Sequence, residues 1–249
     1  MTIGHFIWTD LSTYDVRSAK RDYAMLFGWS FQRWRRYAFA TLDNETVAAV
    51  FRMPKRLAKM KMPSFWMSYI HVESVEETVA KASAHEGAII EVQPEKFGSN
   101  AKVALIRDPS GAGFTVYEGP EIKTPRDKPG VVVQRYHHLP GIDLIQSFYS
   151  DLFGWRFEKT SNSPWSTYDI LHADGERIAI AEEVPEAICG TFRYWMPCFR
   201  VGSAFNVQKT LRSIKGGLRC ELMAGRLILE DRQQAHFMIE SASDHVEEG

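Results

Sequence analysis

Apolar and polar positions along the chain follow two periods. Val16, Ala19, Tyr23 and Leu26 recur every three to four residues, behind an Asp15 suited to cap a helix and ahead of Gly28, placed for a left-handed end. A helix ending by Gly28 is predicted. Ser74-Val-Glu-Glu77 is a capping box, in which hydroxyl and carboxylate satisfy each other's amides, and Val75, Val79 and Ala82 continue it as a buried stripe. Ser203 opens a similar stripe through Ala204, Val207 and Leu211. Residues 46–51, 67–72, 103–106 and 114–117 are rich in β-branched and aromatic residues and read as strands.

The pattern occurs twice. Tyr23-Ala-Met-Leu-Phe-Gly-Trp29 is echoed by Tyr149-Ser-Asp-Leu-Phe-Gly-Trp155, and residues 37–54 by 168–185, with Asp43/Asp174, Glu45/Glu176 and Ala48/Ala179 matching. Trp66-Met67 pairs with Trp195-Met196, and the segment from Asp108 with that from Asp231. Between the copies, Gly119 to Gly130 carries three prolines and two glycines, which suit an extended connector. The expected organisation is a first domain over 1–120, a linker over 119–130 and a second domain over 131–243. The acidic end after Ser243 is expected to fray.

Composition narrows the function classes. The 249 residues include 45% apolar and 24% charged side chains, as in folded globular chains. Thirty Lys plus Arg against 31 Asp plus Glu leave a net charge of −1, so no nucleic-acid or membrane partner is expected. Cys189, Cys198 and Cys220 match neither a zinc motif nor a disulfide framework and are expected as reduced thiols. The N-terminus has no export pattern and no apolar run reaches a membrane span, so a cytoplasmic location is expected.

Tandem units with this helix ending and with the Asp108-Pro-Ser-Gly-Ala-Gly-Phe114 turn resemble the vicinal oxygen chelate superfamily. That superfamily includes glyoxalase I, extradiol dioxygenases, and bleomycin- and fosfomycin-resistance proteins. The resemblance runs from Ile7 to about Ile239 and is nearest to tandem glyoxalase-like two-domain proteins. It implies an α+β fold of two tandem domains, each a pair of βαβββ units forming a curved, cup-shaped mixed sheet with helices outside. The motifs themselves are a helix end and a hairpin turn, and they mark the fold rather than the chemistry.

In metal-using members the cleft carries a His or Gln in the first strand, a Glu in the fourth, a His in the fifth and a Glu in the eighth. Those positions fall here on Trp8 and Gln134, Ala49 and Ile180, Met67 and Met196, and Thr115 and Met238. Gln134 alone could be a ligand, so no metal cofactor is expected. A register shift of two keeps the same face and brings in Tyr136, Glu182, His236 and Glu240 in copy two and His71 in copy one. The alternative is therefore a divalent metal held by Gln134, Glu182, His236 and Glu240.

The lining that replaces ligands is aromatic and sulfur-rich: Trp8, Met67, Tyr69, His71, Thr115 and Tyr117 in copy one, and Gln134, Tyr136, Met196, Cys198, Arg200 and Met238 in copy two. His137-His138 is read as capping a loop, and His5, His85, His172 and His245 as solvated. Arg33-Trp-Arg-Arg-Tyr37 reads as a charged strand edge, and residues 55–62 as an amphipathic linker that covers the cleft or meets another subunit of a homodimer. The expected function is binding of a small organic molecule in aromatic and Met-lined clefts. A metal-dependent lyase or dioxygenase, or a non-catalytic dimerisation module, are the alternatives, and the catalytic residues stay unassigned.

Overall fold

A computed structural model of the chain describes residues 3–190, 193–222 and 226–241. The acidic tail, His245 and the side chain of Cys189 lie outside the described residues. The first half runs β1 (Phe6–Thr13), α1 (Val16–Phe27), β2 (Ser30–Trp34), β3 (Tyr37–Leu42), β4 (Glu45–Arg52), α2 (Lys55–Lys59), β5 (Phe65–His71), α3 (Val75–Ser83), β6 (Ile89–Phe97), β7 (Ala101–Arg107) and β8 (Gly113–Glu118). Residues 119–130 carry neither helix nor strand. The second half runs β9 (Val132–Leu139), a 3-10 turn (Ile142–Leu144), α4 (Gln146–Phe153), β10 (Arg156–Ser161), β11 (Thr167–Leu171), β12 (Arg177–Glu183), α5 (Glu186–Cys189), β13 (Trp195–Val201), α6 (Ala204–Ser213), β14 (Gly217–Glu221), β15 (Leu227–Glu230) and β16 (His236–Ser241).

The architecture is α+β, two tandem eight-stranded mixed sheets, ordered β2-β3-β4-β1-β5-β8-β7-β6 and β10-β11-β12-β9-β13-β16-β15-β14. The outer strands of each βαβββ unit are antiparallel, while β1 runs parallel to β4, β5 to β8, β9 to β12 and β13 to β16. The helix ends follow the sequence. The Asp15 carboxylate accepts from the amides of Arg17 and Ser18, Ser74 Oγ from Glu77, and Ser203 Oγ from Asn206. Gly28 and Gly154 end α1 and α4 at φ 72° and 69°, a left-handed conformation open to glycine. Of the Arg33–Tyr37 stretch, Arg33 and Trp34 end β2, an exposed sheet edge, Arg35 and Arg36 form the turn, and Tyr37 opens β3.

Compact packing does not follow the two halves. Unit I comprises residues up to 8, 67–123 and 134–195; unit II comprises 9–66, 124–133 and the chain from 196. In unit I, Ile70 and Phe114 of the first repeat pack with Leu139, Phe148, Tyr149 and Trp155 of the second. In unit II, Leu11, Tyr23, Phe27 and Trp66 of the first pack with Phe199, Leu211 and Phe237 of the second.

The repeated motifs meet across the repeats inside each unit. In unit I the Tyr149 hydroxyl donates to Asp108 at 2.8 Å and accepts from Trp195 Nε1 at 2.7 Å. In unit II Tyr23 donates to Asp231 at 3.2 Å and accepts from Trp66 Nε1 at 3.2 Å. All six side chains are buried, where an unmade polar bond costs most. The aspartates also hold their hairpins: Asp108 accepts from the amides of Ser110 and Ala112, and Asp231 from those of Gln233 and Ala235.

Among the described residues, no helix is long and apolar enough to cross a membrane.

Candidate functional site

In unit I, β5 and β8 pair Tyr69 with Thr115 and His71 with Tyr117. Ile70, Phe114 and Val116 alternate with these and enter the core, so Met67, Tyr69, Thr115 and Tyr117 occupy the opposite face. Trp8, Met67, Tyr69, Thr115 and Tyr117 keep 8%, 8%, 7%, 7% and 5% exposure. Burial raises the Tyr117 hydroxyl pKa, so it stays a neutral phenol and donates to Pro120 O at 3.1 Å. His71 Nε2 lies 3.1 Å from Gly119 O.

Also in unit I, β9 and β12 pair Tyr136 with Ile180 and His138 with Glu182. Gln134 Oε1 accepts from the Arg135 amide at 2.8 Å. The Arg135 guanidinium lies over the Phe6 ring, 4.9 Å from its centroid, and donates to Ser68 Oγ at 3.3 Å.

His137 and His138 are strand residues, not a loop cap. Pointing to opposite faces, they reach separate carboxylates: His137 Nε2 lies 3.0 Å from Asp108 Oδ2, and His138 Nε2 3.0 Å from Glu182 Oε2, all four side chains being buried. Burial works against the Asp108 carboxylate, but the bonds from His137, Ser110 and Ala112 outweigh it and hold its pKa below the ordinary value. His5, read as solvated, is also buried, at 6% exposure. Sequence reasoning missed these because the acids that accompany the imidazoles come from distant strands and turns.

In unit II, β13 and β16 pair Cys198 with Met238 and Arg200 with Glu240, and Met196 lies buried near the start of β13. Burial, then the charge of Glu240, pushes the Cys198 thiol well above its usual pKa, so it stays protonated. Cys198 and Cys220 are both free thiols. Arg200 donates to Glu240 at 2.9 Å. His236 lies 3.3 Å from Glu230, and its pKa is lowered by burial despite that neighbour. In the same unit β1 and β4 pair Asp10 with Ala49. Asp10, 1% exposed, was passed over because counting back from the helix cap placed the first ligand position two residues earlier, on Trp8.

The rungs Asp10–Ala49, Tyr69–Thr115, Tyr136–Ile180 and Cys198–Met238 do not fit a divalent cation. Asp10 is the one carboxylate among them; alanine and isoleucine carry no donor atom, Tyr69, Thr115 and Tyr136 bring only hydroxyls, and a thioether is soft. Of the displaced candidates, Glu182 is engaged by His138 and Glu240 by Arg200.

No family model matches the chain. The protein named "Putative glyoxylase CFP32" in Mycobacterium bovis, and that of the same name in Mycobacterium tuberculosis, are each 27% identical over 205 residues, covering 79% of this chain and 77% of theirs. Among solved structures, the Mn(II)-bound glyoxalase from Novosphingobium aromaticivorans superposes with a TM-score of 0.61 at 12% identity, covering 96% of this chain and 83% of that one. The 2,3-dioxygenase LapB from Pseudomonas sp. KL28 gives 0.61 at 10% identity, over 96% and 93%. A variant of homoprotocatechuate 2,3-dioxygenase from B. fuscum gives 0.60 at 13%, over 95% and 71%.

Proposed function

The fold is that of the vicinal oxygen chelate superfamily, and from that premise we propose that this protein is a glyoxalase-like binder of a small organic molecule, without the metal site usual in that superfamily. The reading is carried by the rung residues themselves, which set a single carboxylate, Asp10, among methyl groups, hydroxyls, a thioether and a buried thiol where an ion needs several nitrogen or anionic oxygen donors.

The ligand face in unit I is that of Trp8, Met67, Tyr69 and Tyr117. Their rings and thioether accept a planar, weakly polar molecule, while the Thr115 hydroxyl orients one polar substituent. Of the second copy, Gln134 and Tyr136 add to the lining within unit I, and Met196, Cys198, Arg200 and Met238 line a face of unit II.

Chelator-treated protein is titrated with homoprotocatechuate and with the hemithioacetal of glutathione and methylglyoxal, followed by tryptophan fluorescence. One probe is expected to bind without added metal, and Tyr69→Ala to weaken it about tenfold through lost ring contact, about 1.4 kcal/mol. Failure of both probes, with or without metal, would leave the non-catalytic dimerisation module standing.

A metal-dependent lyase or dioxygenase with displaced ligands is the second reading, favoured by the buried His138–Glu182 pair beside Tyr136. Binding restored only by Mn2+, and lost again in Glu182→Ala, selects it over the first.

A further inference from the structure

We propose that the hairpin joining β11 to β12 and the residue preceding β1, both in unit I, form a surface site for a divalent transition-metal ion, with His5, His172, Asp174 and Glu176 as ligands. It uses none of the rung residues above. Donor atoms of His5, His172 and Asp174 lie within 4.8 Å of one another. His5 Nε2 is 3.2 Å from Glu176 Oε2, and His172 Nδ1 is 3.0 Å from Asp174 Oδ2. Four ligands at zinc bond lengths of about 2.0–2.1 Å stand about 3.3 Å apart, so two edges of that tetrahedron already exist. Asp174 and Glu176 keep 58% and 53% side-chain exposure, and a rotation of each side chain spans the remaining distance.

His5 is supported as a ligand needs to be. Ile3 O, 3.2 Å from His5 Nδ1, can only accept, an arrangement that lets Nδ1 donate to it and leaves Nε2 to an ion shared with Glu176. The backbone of His5 is fixed by the bond from His71 N to His5 O at 3.0 Å. The two rings lie 4.1 Å apart, close enough for one cation to reach a nitrogen of each. Glu176 N donates to Asp174 Oδ1 at 2.9 Å, which leaves Oδ2 turned to His172. His172 also lines a groove of about 180 Å³ that has Glu73, Glu77 and Lys81 in its wall.

The internal repeat supplies a second, independent observation. The matching carboxylates of the first copy, Asp43 and Glu45, already hold a cation: Lys128 Nζ lies 3.3 and 2.5 Å from them, within unit II. Gly4 and Gly130 are equivalent points in the two units, each with positive φ and each accepting a tryptophan Nε1–H at 2.8 Å, from Trp155 and Trp29. The residue two before Gly130 is Lys128, whereas the residue two before Gly4 is Thr2, whose side chain is uncharged. His5 stands where unit II has Val131. Two carboxylates and two neutral imidazoles sum to −2, which a divalent ion cancels, and the mixed nitrogen and oxygen set suits zinc, nickel or copper.

The full chain, freed of metal by chelation, is titrated with Zn2+ against a chromophoric competitor and, separately, with Co2+ to read d–d absorption. One ion per chain is expected, with a rise in the thermal midpoint on binding. His5→Gln and His172→Gln are each expected to weaken binding at least about tenfold. Asp174→Asn, on the exposed hairpin, gives the same reading if His5→Gln does not fold. Glu182→Gln should leave this affinity unchanged, which separates the site from any ion bound through the His138–Glu182 pair. Absence of saturable Zn2+ and Co2+ binding, or binding undiminished in folded His172→Gln and Asp174→Asn, overturns the proposal.

Discussion

His137→Leu tests what one imidazole contributes to a buried carboxylate, because the chain carries its own control. The repeat places Leu11 where unit I has His137, and the two turn aspartates differ accordingly: Asp108 is held below its ordinary pKa, whereas burial pushes Asp231 up to about 6. Both accept two backbone amides and one tyrosine hydroxyl; Asp108 accepts from His137 and the Ser110 hydroxyl in addition. Leucine fills much of the imidazole's volume and keeps an apolar contact with Trp195, so the substitution chiefly removes a hydrogen bond to a charged group. That bond is worth about 1.5–3 kcal/mol.

A loss of about 2 kcal/mol corresponds to a fall of roughly 4–8 °C in thermal midpoint for a chain of this size. The pH dependence discriminates further. In the wild type the Asp108 carboxylate contributes stability above its unfolded pKa of 3.8, lost as pH falls through the lower folded value. In the leucine variant the folded pKa rises as in Asp231, so the ionised form is the disfavoured one. The destabilisation should therefore grow between about pH 4 and pH 7. Urea midpoints at those two pH values, with the double-mutant cycle against Asp108→Asn, measure it; coupling above about 1.5 kcal/mol is expected. A cost below about 0.5 kcal/mol, or one equal at both pH values, refutes the reasoning.

Two further outcomes follow from unit II. With Asp231 titrating near 6 in the fold and 3.8 unfolded, the native state holds the proton more tightly, so stability falls as pH rises between those values, by up to about 3 kcal/mol. Asp231→Asn should abolish that slope in urea unfolding, and parallel profiles for the two proteins would remove the assignment. At the same turn Gln234 adopts φ 68° where the first copy has Gly111 at 98°, and their amides make matching bonds to Asp231 O and Asp108 O. Gln234→Gly relieves a left-handed side-chain residue and should raise stability by about 0.5–1 kcal/mol by chemical denaturation; no gain would mean that the turn carries no strain.

The sequence by itself determined the local structure. Asp15, Ser74 and Ser203 start their helices and Gly28 ends the first, because a cap is satisfied within one turn of chain and needs no distant partner. Alternation fixed which face of β5 and β8 holds Tyr69 and Thr115, since a strand's period is two whatever packs against it. The duplicated motifs fixed the tandem α+β architecture.

Tertiary structure alone decided which repeated parts meet. Tyr149 bonds Asp108 and Tyr23 bonds Asp231, so each motif finds its partner in the other repeat, and the two compact units interleave the halves. It also brought the imidazoles of His5 and His172 together beside Asp174, and gave His137 and His138 a carboxylate each. Such pairings join residues far apart in the chain, and nothing in local propensity encodes them. They form because burial penalises any polar group left without a partner, and only the packed chain sets which partner lies within reach.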